Sequence, residues 1–148
     1  MIAIAYVLLK IREIPLIKAV IVAFSWMMVA TVIPDFSHHS FQISSFFSFF
    51  LFLGLTILAD IKDLNFDAKS LKTIPQIIGI NAAFSLSFLL VLSFVFLQMK
   101  GINASFFLQI IGLFWLVFGF IFYKRNSSFR LELLDVILLI FGLTFWLF

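Results

Sequence analysis

Residues 75–97 run PQIIGINAAFSLSFLLVLSFVFL, and this stretch decides the fold class. It carries no charged side chain, and as a helix rising 1.5 Å per residue it reaches about 34 Å, enough to cross a hydrocarbon layer of about 30 Å. Pro75 stands where a first helical turn tolerates proline. Comparable apolar segments lie on either side, at 16–33, 41–59, 104–123 and 131–148. Pro15 opens the first of these and Pro34 follows it, where a helix is expected to stop. The last segment is the weakest, because Glu132 and Asp135 fall in its first turns. Acids suit a helix N-terminus, however, and Ser127 and Ser128 are candidate caps. Residues 1–9 are apolar but too short to span, and no small-residue cleavage site follows them.

The composition agrees with this reading. Of 148 residues 64% are hydrophobic, 19% aromatic and 11% charged, where soluble domains carry about 25% charge. Mean hydropathy is +1.24. These values exclude a soluble globule, an extended disordered chain and, with no Cys, a secreted disulfide scaffold. The expected architecture is an all-α, polytopic membrane helical bundle of five spans, forming a single domain over residues 1–148.

The cations orient the bundle. Lys10, Arg12 and Lys18 flank the first segment, Lys62, Lys69 and Lys72 lie between the second and third, and Lys124, Arg125 and Arg130 lie between the fourth and fifth. Lys100 alone falls on the other side. By the positive-inside rule the basic side is cytoplasmic, which puts the N-terminus on or near that side and the C-terminus outside. A bacterial inner (cell) membrane is the expected location. The formal charge of +3 is arranged by membrane side, so no nucleic-acid partner follows from it.

One constellation carries chemistry. Asp60, Asp63 and Asp67 occupy eight consecutive positions after the second segment. Continued as a helix, offsets of three and seven put the three carboxylates within about 60° of one another. Such a cluster beside anionic headgroups needs a neutralising cation. Mg²⁺ accepts one or two carboxylates and fills its remaining positions with water or phosphate oxygens. Lys69 and Lys72 are placed to add positive charge against the same phosphates. The plain alternative is a solvated loop whose three acids offset three lysines.

The segment from Asp60 to Asp67, followed by Lys72-Thr73-Ile74-Pro75 and a new apolar helix, resembles the second aspartate-rich motif of the UbiA superfamily of intramembrane prenyltransferases. The basic, proline-containing turn before the first segment, then Lys18 and Trp26, is also similar to that superfamily. The resemblance covers the second half of a typical member, helices five to nine, with residues 1–9 as the end of helix four. It implies an Mg²⁺-dependent enzyme that holds a prenyl diphosphate at the membrane surface and transfers the prenyl group to an aromatic or other lipophilic acceptor. Carried over, Asp60, Asp63 and Asp67 would be metal ligands and Lys72 a diphosphate neighbour. Two departures stand out. The linker to Pro75 is about one residue shorter than usual, with Leu71 near the usual Gly. The first aspartate-rich motif is absent, since only Glu13 and Asp35 precede residue 60. The chain alone is therefore expected to be catalytically incomplete and to require a second chain bearing that motif. The competing expectation is an accessory or inactive multi-span membrane protein with no enzymatic role.

Other polar residues are weaker candidates. Asn81, at shallow depth in the third segment, is expected to face the substrate cavity or to make an interhelical hydrogen bond. Gln109 is read the same way. Gly112 and Gly119, seven apart, suggest close helix packing. His38 and His39 point in different directions and suggest an extracytoplasmic loop rather than a metal site. Asn103-Ala104-Ser105 matches a glycosylation sequon only weakly.

Overall fold

The computed structural model describes residues 15–37, 43–65, 73–98 and 104–125. The expected fifth span, residues 1–9 and the His38-His39 pair lie outside the described residues. Those described are helical apart from Thr73 and Gly79, with no strand among them. The longer helices are α1 (Pro15–Met27), α2 (Ile33–Ser37), α3 (Ser48–Lys62), α4 (Ile74–Ile78), α5 (Ile80–Gln98) and α6 (Ala104–Arg125). Three helical stretches are long and apolar enough to cross a membrane, Leu16–Ser37, Ser45–Lys62 and Ile80–Gln98. These mark the chain as a membrane protein.

Pro34 does not end the first span. A π-helical turn, Met28–Val32, joins α1 to α2, and the Ile33 N–H donates to Met28 O, five residues back. Proline lacks the N–H that would continue the ladder, and its ring crowds the carbonyl four residues earlier. The wider turn just before it accommodates that ring, so the helix runs on to Ser37. The expected third span is also corrected. It breaks at Gly79, whose φ of +84° is open to glycine and strained for other residues, and the membrane-length helix begins at Ile80. The second span is shifted toward its C-terminal side. A 3₁₀ turn, Ile43–Phe47, leads into α3, which runs to Lys62 and so takes Asp60 inside the helix. In the region of the expected fourth span a helix, α6, begins at Ala104 as expected, but its described apolar part, Gln109–Ile121, is shorter than a membrane span.

The second span is the central element. It packs against α1 on one side and α5 on another, and α6 lies along α5. Ala19, Ala23 and Met27 bring one small-residue face of α1 onto α3, where Leu51, Ile57, Leu58 and Ile61 are buried. From α5 come Ala83, Val91, Phe94 and Val95. Between α5 and α6, Phe84 and Phe120 stack with centroids 3.6 Å apart and planes at 7°. Gly112 and Gly119 are both buried on α6, as close packing of that face requires. Large apolar side chains such as Leu89, Phe96, Phe114 and Ile121 face outward, where lipid tails rather than water are their solvent.

The tightest approach is at Gly54. A Cβ there would lie 2.9 Å from Val91 Cγ2 and 3.0 Å from the backbone oxygen of Ser87. The Ser87 hydroxyl donates to Gly54 O at 2.8 Å, which fastens the two helices at the crossing. The Val91 methyl can shift, but the Ser87 carbonyl belongs to a helix and cannot. Gly54→Ala should therefore lower stability by about 1–3 kcal/mol, despite alanine's better helix propensity. Unfolding in mixed detergent micelles measures this, and unchanged stability would show that the helices separate freely at that point.

Candidate functional site

Asp60 lies in the last turn of α3 and is 6% exposed. A carboxylate there is doubly disfavoured, by burial and by the negative end of its own helix. Lys18, in the first turn of α1, suffers the converse placement at a positive helix end. The two spans run antiparallel, so each charge meets the favourable pole of the other's helix as well as its opposite charge. Lys18 Nζ donates to Asp60 Oδ1 at 3.0 Å across 42 residues of sequence. The carboxylate is sunk, at 8% side-chain exposure, and the ammonium reaches it from the rim, at 26%. This is the geometry of a lysine whose methylenes lie along apolar surface.

Asp63 follows one turn later in a different setting. The helix ends at Lys62, and Asp63 begins a 3₁₀ turn, Asp63–Asn65, with φ −87° and ψ 0°. Its N–H caps the carbonyls of Ala59 and Ile61 while its side chain is exposed. The expected continuous helical face therefore stops at the second carboxylate, with Asp60 buried in the bundle and Asp63 exposed. Asp67, Lys69 and Lys72 lie outside the described residues.

The next element begins at the same end of the bundle. Thr73 is the N-cap of α4 with extended backbone, and Pro75 follows in the first turn. Gln76 Oε1 accepts the Thr73 N–H at 3.1 Å, one arm of a capping box. This is why Thr-Ile-Pro opens a helix here. The Thr73 hydroxyl is buried, with Thr73 1% exposed, and has no hydrogen-bond partner among the described residues. Asn81, in the first turn of α5, is exposed, and its carbonyl accepts the Ser85 hydroxyl at 3.0 Å. Gln109 is buried on α6.

Of the oxygen groups at this end that a hard cation would accept, Asp60 is engaged by Lys18 and Asp63 is exposed. No group of three His, Cys, Asp or Glu converges among the described residues. The pairing of Lys18 with Asp60 is not evident from the sequence, where Lys18 stands out as a flanking cation and as part of the basic turn. A signal was present. Lys18 is the only charged residue in the 16–33 segment, and an ionisable group in a span generally has an assigned partner.

The far end of the bundle holds a second polar cluster. Thr31 Oγ1, inside the π turn, donates to Met27 O at 2.7 Å and lies 2.9 Å from Ser48 Oγ. The Ser48 hydroxyl is 2.6 Å from Ser45 O, and the Ser45 hydroxyl donates to Asp35 Oδ2. Each buried hydroxyl is satisfied within the cluster, so it joins the first two spans at the membrane face opposite Asp60.

Compared with family models, curated proteins and solved structures, the chain matches none.

Proposed function

We propose that the chain is the second half of a UbiA-type intramembrane prenyltransferase. In this reading it has five spans and sits in a bacterial inner membrane with its acidic end on the cytoplasmic face. It supplies the Mg²⁺–diphosphate half-site. The observation that carries the reading is the placement of the motif. Its first carboxylate, Asp60, is buried and paired with a lysine of the first span, and its second, Asp63, is exposed just past the helix end. A prenyl diphosphate needs this combination, with polar groups at the lipid boundary and an apolar interior beside them for the tail.

In this reading Asp60, Asp63 and Asp67 would hold the metal, Lys69 and Lys72 would add positive charge for the diphosphate, and Asn81 would serve the substrate. Mg²⁺, if bound there, would supply positive charge to the leaving diphosphate, which would depart with the electron pair of the allylic C–O bond. The acceptor carbon then forms the new bond and loses a proton. The aspartates orient the headgroup, and the surrounding spans exclude water from the allylic carbon. The first aspartate-rich motif comes from a second chain.

A second reading rests on the ion pair itself. Lys18 already neutralises Asp60 without any metal, as it would in an accessory membrane protein whose acidic end is purely structural. Co-expression with a chain of about four spans bearing an NxxDxxxD-like cytoplasmic loop separates the two. Mg²⁺-dependent diphosphate release by the paired membranes supports the enzyme. Its absence, with prenyl products unaltered by Asp63→Ala, supports the accessory protein.

A further inference from the structure

We propose that α2 is a hinged flap on the first span. The π turn is its hinge, the hydrogen bond from Ser45 to Asp35 is its latch, and its opening gives water access to the buried Thr31 and Ser48 hydroxyls at the membrane face opposite Asp60. This device is independent of the prenyltransferase reading. Packing separates α2 from the rest of its span. Ala19, Ala23 and Met27 of α1 are buried, as are Thr31 and Val32 of the π turn. None of the five residues of α2 is buried, and Ile33 and Phe36 are 55% and 59% exposed. Segments with little buried surface open at lower free energy than the elements that carry the core. The backbone at the junction is weaker as well. Pro34 has no N–H to return to the preceding turn, and the Ile33 N–H reaches five residues back rather than four.

A polar contact ties this loosely packed turn to the second span. Asp35, half-buried, accepts the Ser45 hydroxyl from the 3₁₀ turn that leads into α3. One turn deeper, Thr31 Oγ1 and Ser48 Oγ lie 2.9 Å apart, and both residues are buried. The outer pair therefore caps the inner one. Residues 16–32 rise about 25 Å as helix, so a hydrocarbon layer of about 30 Å ends close to Asp35. A carboxylate released there is hydrated, whereas the same group deeper in the bundle would be left uncompensated. The latch thus opens without stranding a charge, and the hinge lets α2 move while α1 keeps its packing.

The test uses the full chain in nanodiscs, with backbone hydrogen–deuterium exchange followed by mass spectrometry. In the unaltered chain residues 35–37 should exchange at least about tenfold faster than residues 19–27. Ser45→Ala removes the latch hydroxyl but keeps the carbonyl that the Ser48 hydroxyl reaches at 2.6 Å. It should speed exchange at 35–37 about tenfold further while residues 19–27 and 50–60 stay unchanged. Pro34→Ala removes the ring that widens the turn and restores the missing N–H, so it should slow exchange at 35–37 about tenfold. The chain has no Cys, so Ser48→Cys supplies a lone thiol whose modification by a water-soluble maleimide should be about tenfold faster when Ser45→Ala is added. Equal exchange at 35–37 and 19–27 in the unaltered chain overturns the flap, and that arm needs no variant. Unchanged exchange at 35–37 in Ser45→Ala overturns the latch, as does an acceleration shared by 19–27 and 50–60, which would make the contact part of the whole bundle's stability. A thiol rate indifferent to Ser45→Ala overturns the access to the hydroxyl pair.

Discussion

Replacing Lys18 with Met should destabilise the bundle by about 3–5 kcal/mol, because Asp60 is left buried without its opposite charge. The methionine retains most of the apolar contact of the lysine stem, so the loss is electrostatic rather than a cavity. The diagnostic companion is the double replacement Lys18→Met with Asp60→Leu. It removes both charges and should recover most of the loss, since a buried ion pair replaced by apolar groups of similar size is often neutral or better. Unfolding of the three variants in mixed micelles gives the coupling between the positions directly. Equal damage in single and double variants would mean that the 3.0 Å contact contributes little to holding the first two spans together.

The second large effect falls on activity. Under the proposed prenyltransferase function, Asp63→Asn should reduce Mg²⁺-dependent diphosphate release by the co-expressed chains about 10²–10³-fold, the scale of losing one electrostatic contact to a developing charge. Its stability should stay within about 0.5 kcal/mol of the parent, because the side chain is exposed and the turn is capped by the Asp63 backbone N–H, which asparagine keeps. That separation makes Asp63 a better probe of function than Asp60, whose replacement also disturbs the ion pair. A variant that releases diphosphate as fast as the parent would remove this carboxylate from the site.

Helix was legible in the sequence wherever apolar composition alone decides the outcome, as along 104–125, where it begins at the expected residue. Local rules failed where backbone geometry offered an escape. Pro34 predicts a stop, yet a π turn widens the preceding backbone and the helix continues. Nothing in Met-Val-Ala-Thr-Val announces that turn, because it answers a clash rather than a residue preference. Gly79 lay inside a run without a charged residue, and its backbone angle reveals the break. The acidic cluster was legible as a cluster, but not its division. Reading Asp60 and Asp63 on one helical face requires knowing where α3 ends, and helix ends are the least determined part of such a reading. The Lys18–Asp60 pair needed one further fact, that the first two spans are neighbours with their charged ends together, which is a property of packing rather than of either segment.

The crossing at Gly54 and the carboxylate at Asp60 share one rigid rod six residues apart. At about 100° per residue they project roughly 120° from each other, one toward α5 and the other toward α1. Adding or deleting a single residue between them would swing Asp60 by about 100° while the notch at Gly54 kept its grip, leaving a naked carboxylate against the hydrocarbon. Substitutions along this six-residue interval should therefore be tolerated far better than changes in its length, so that the spacer behaves as a gauge block whose dimension matters more than its material.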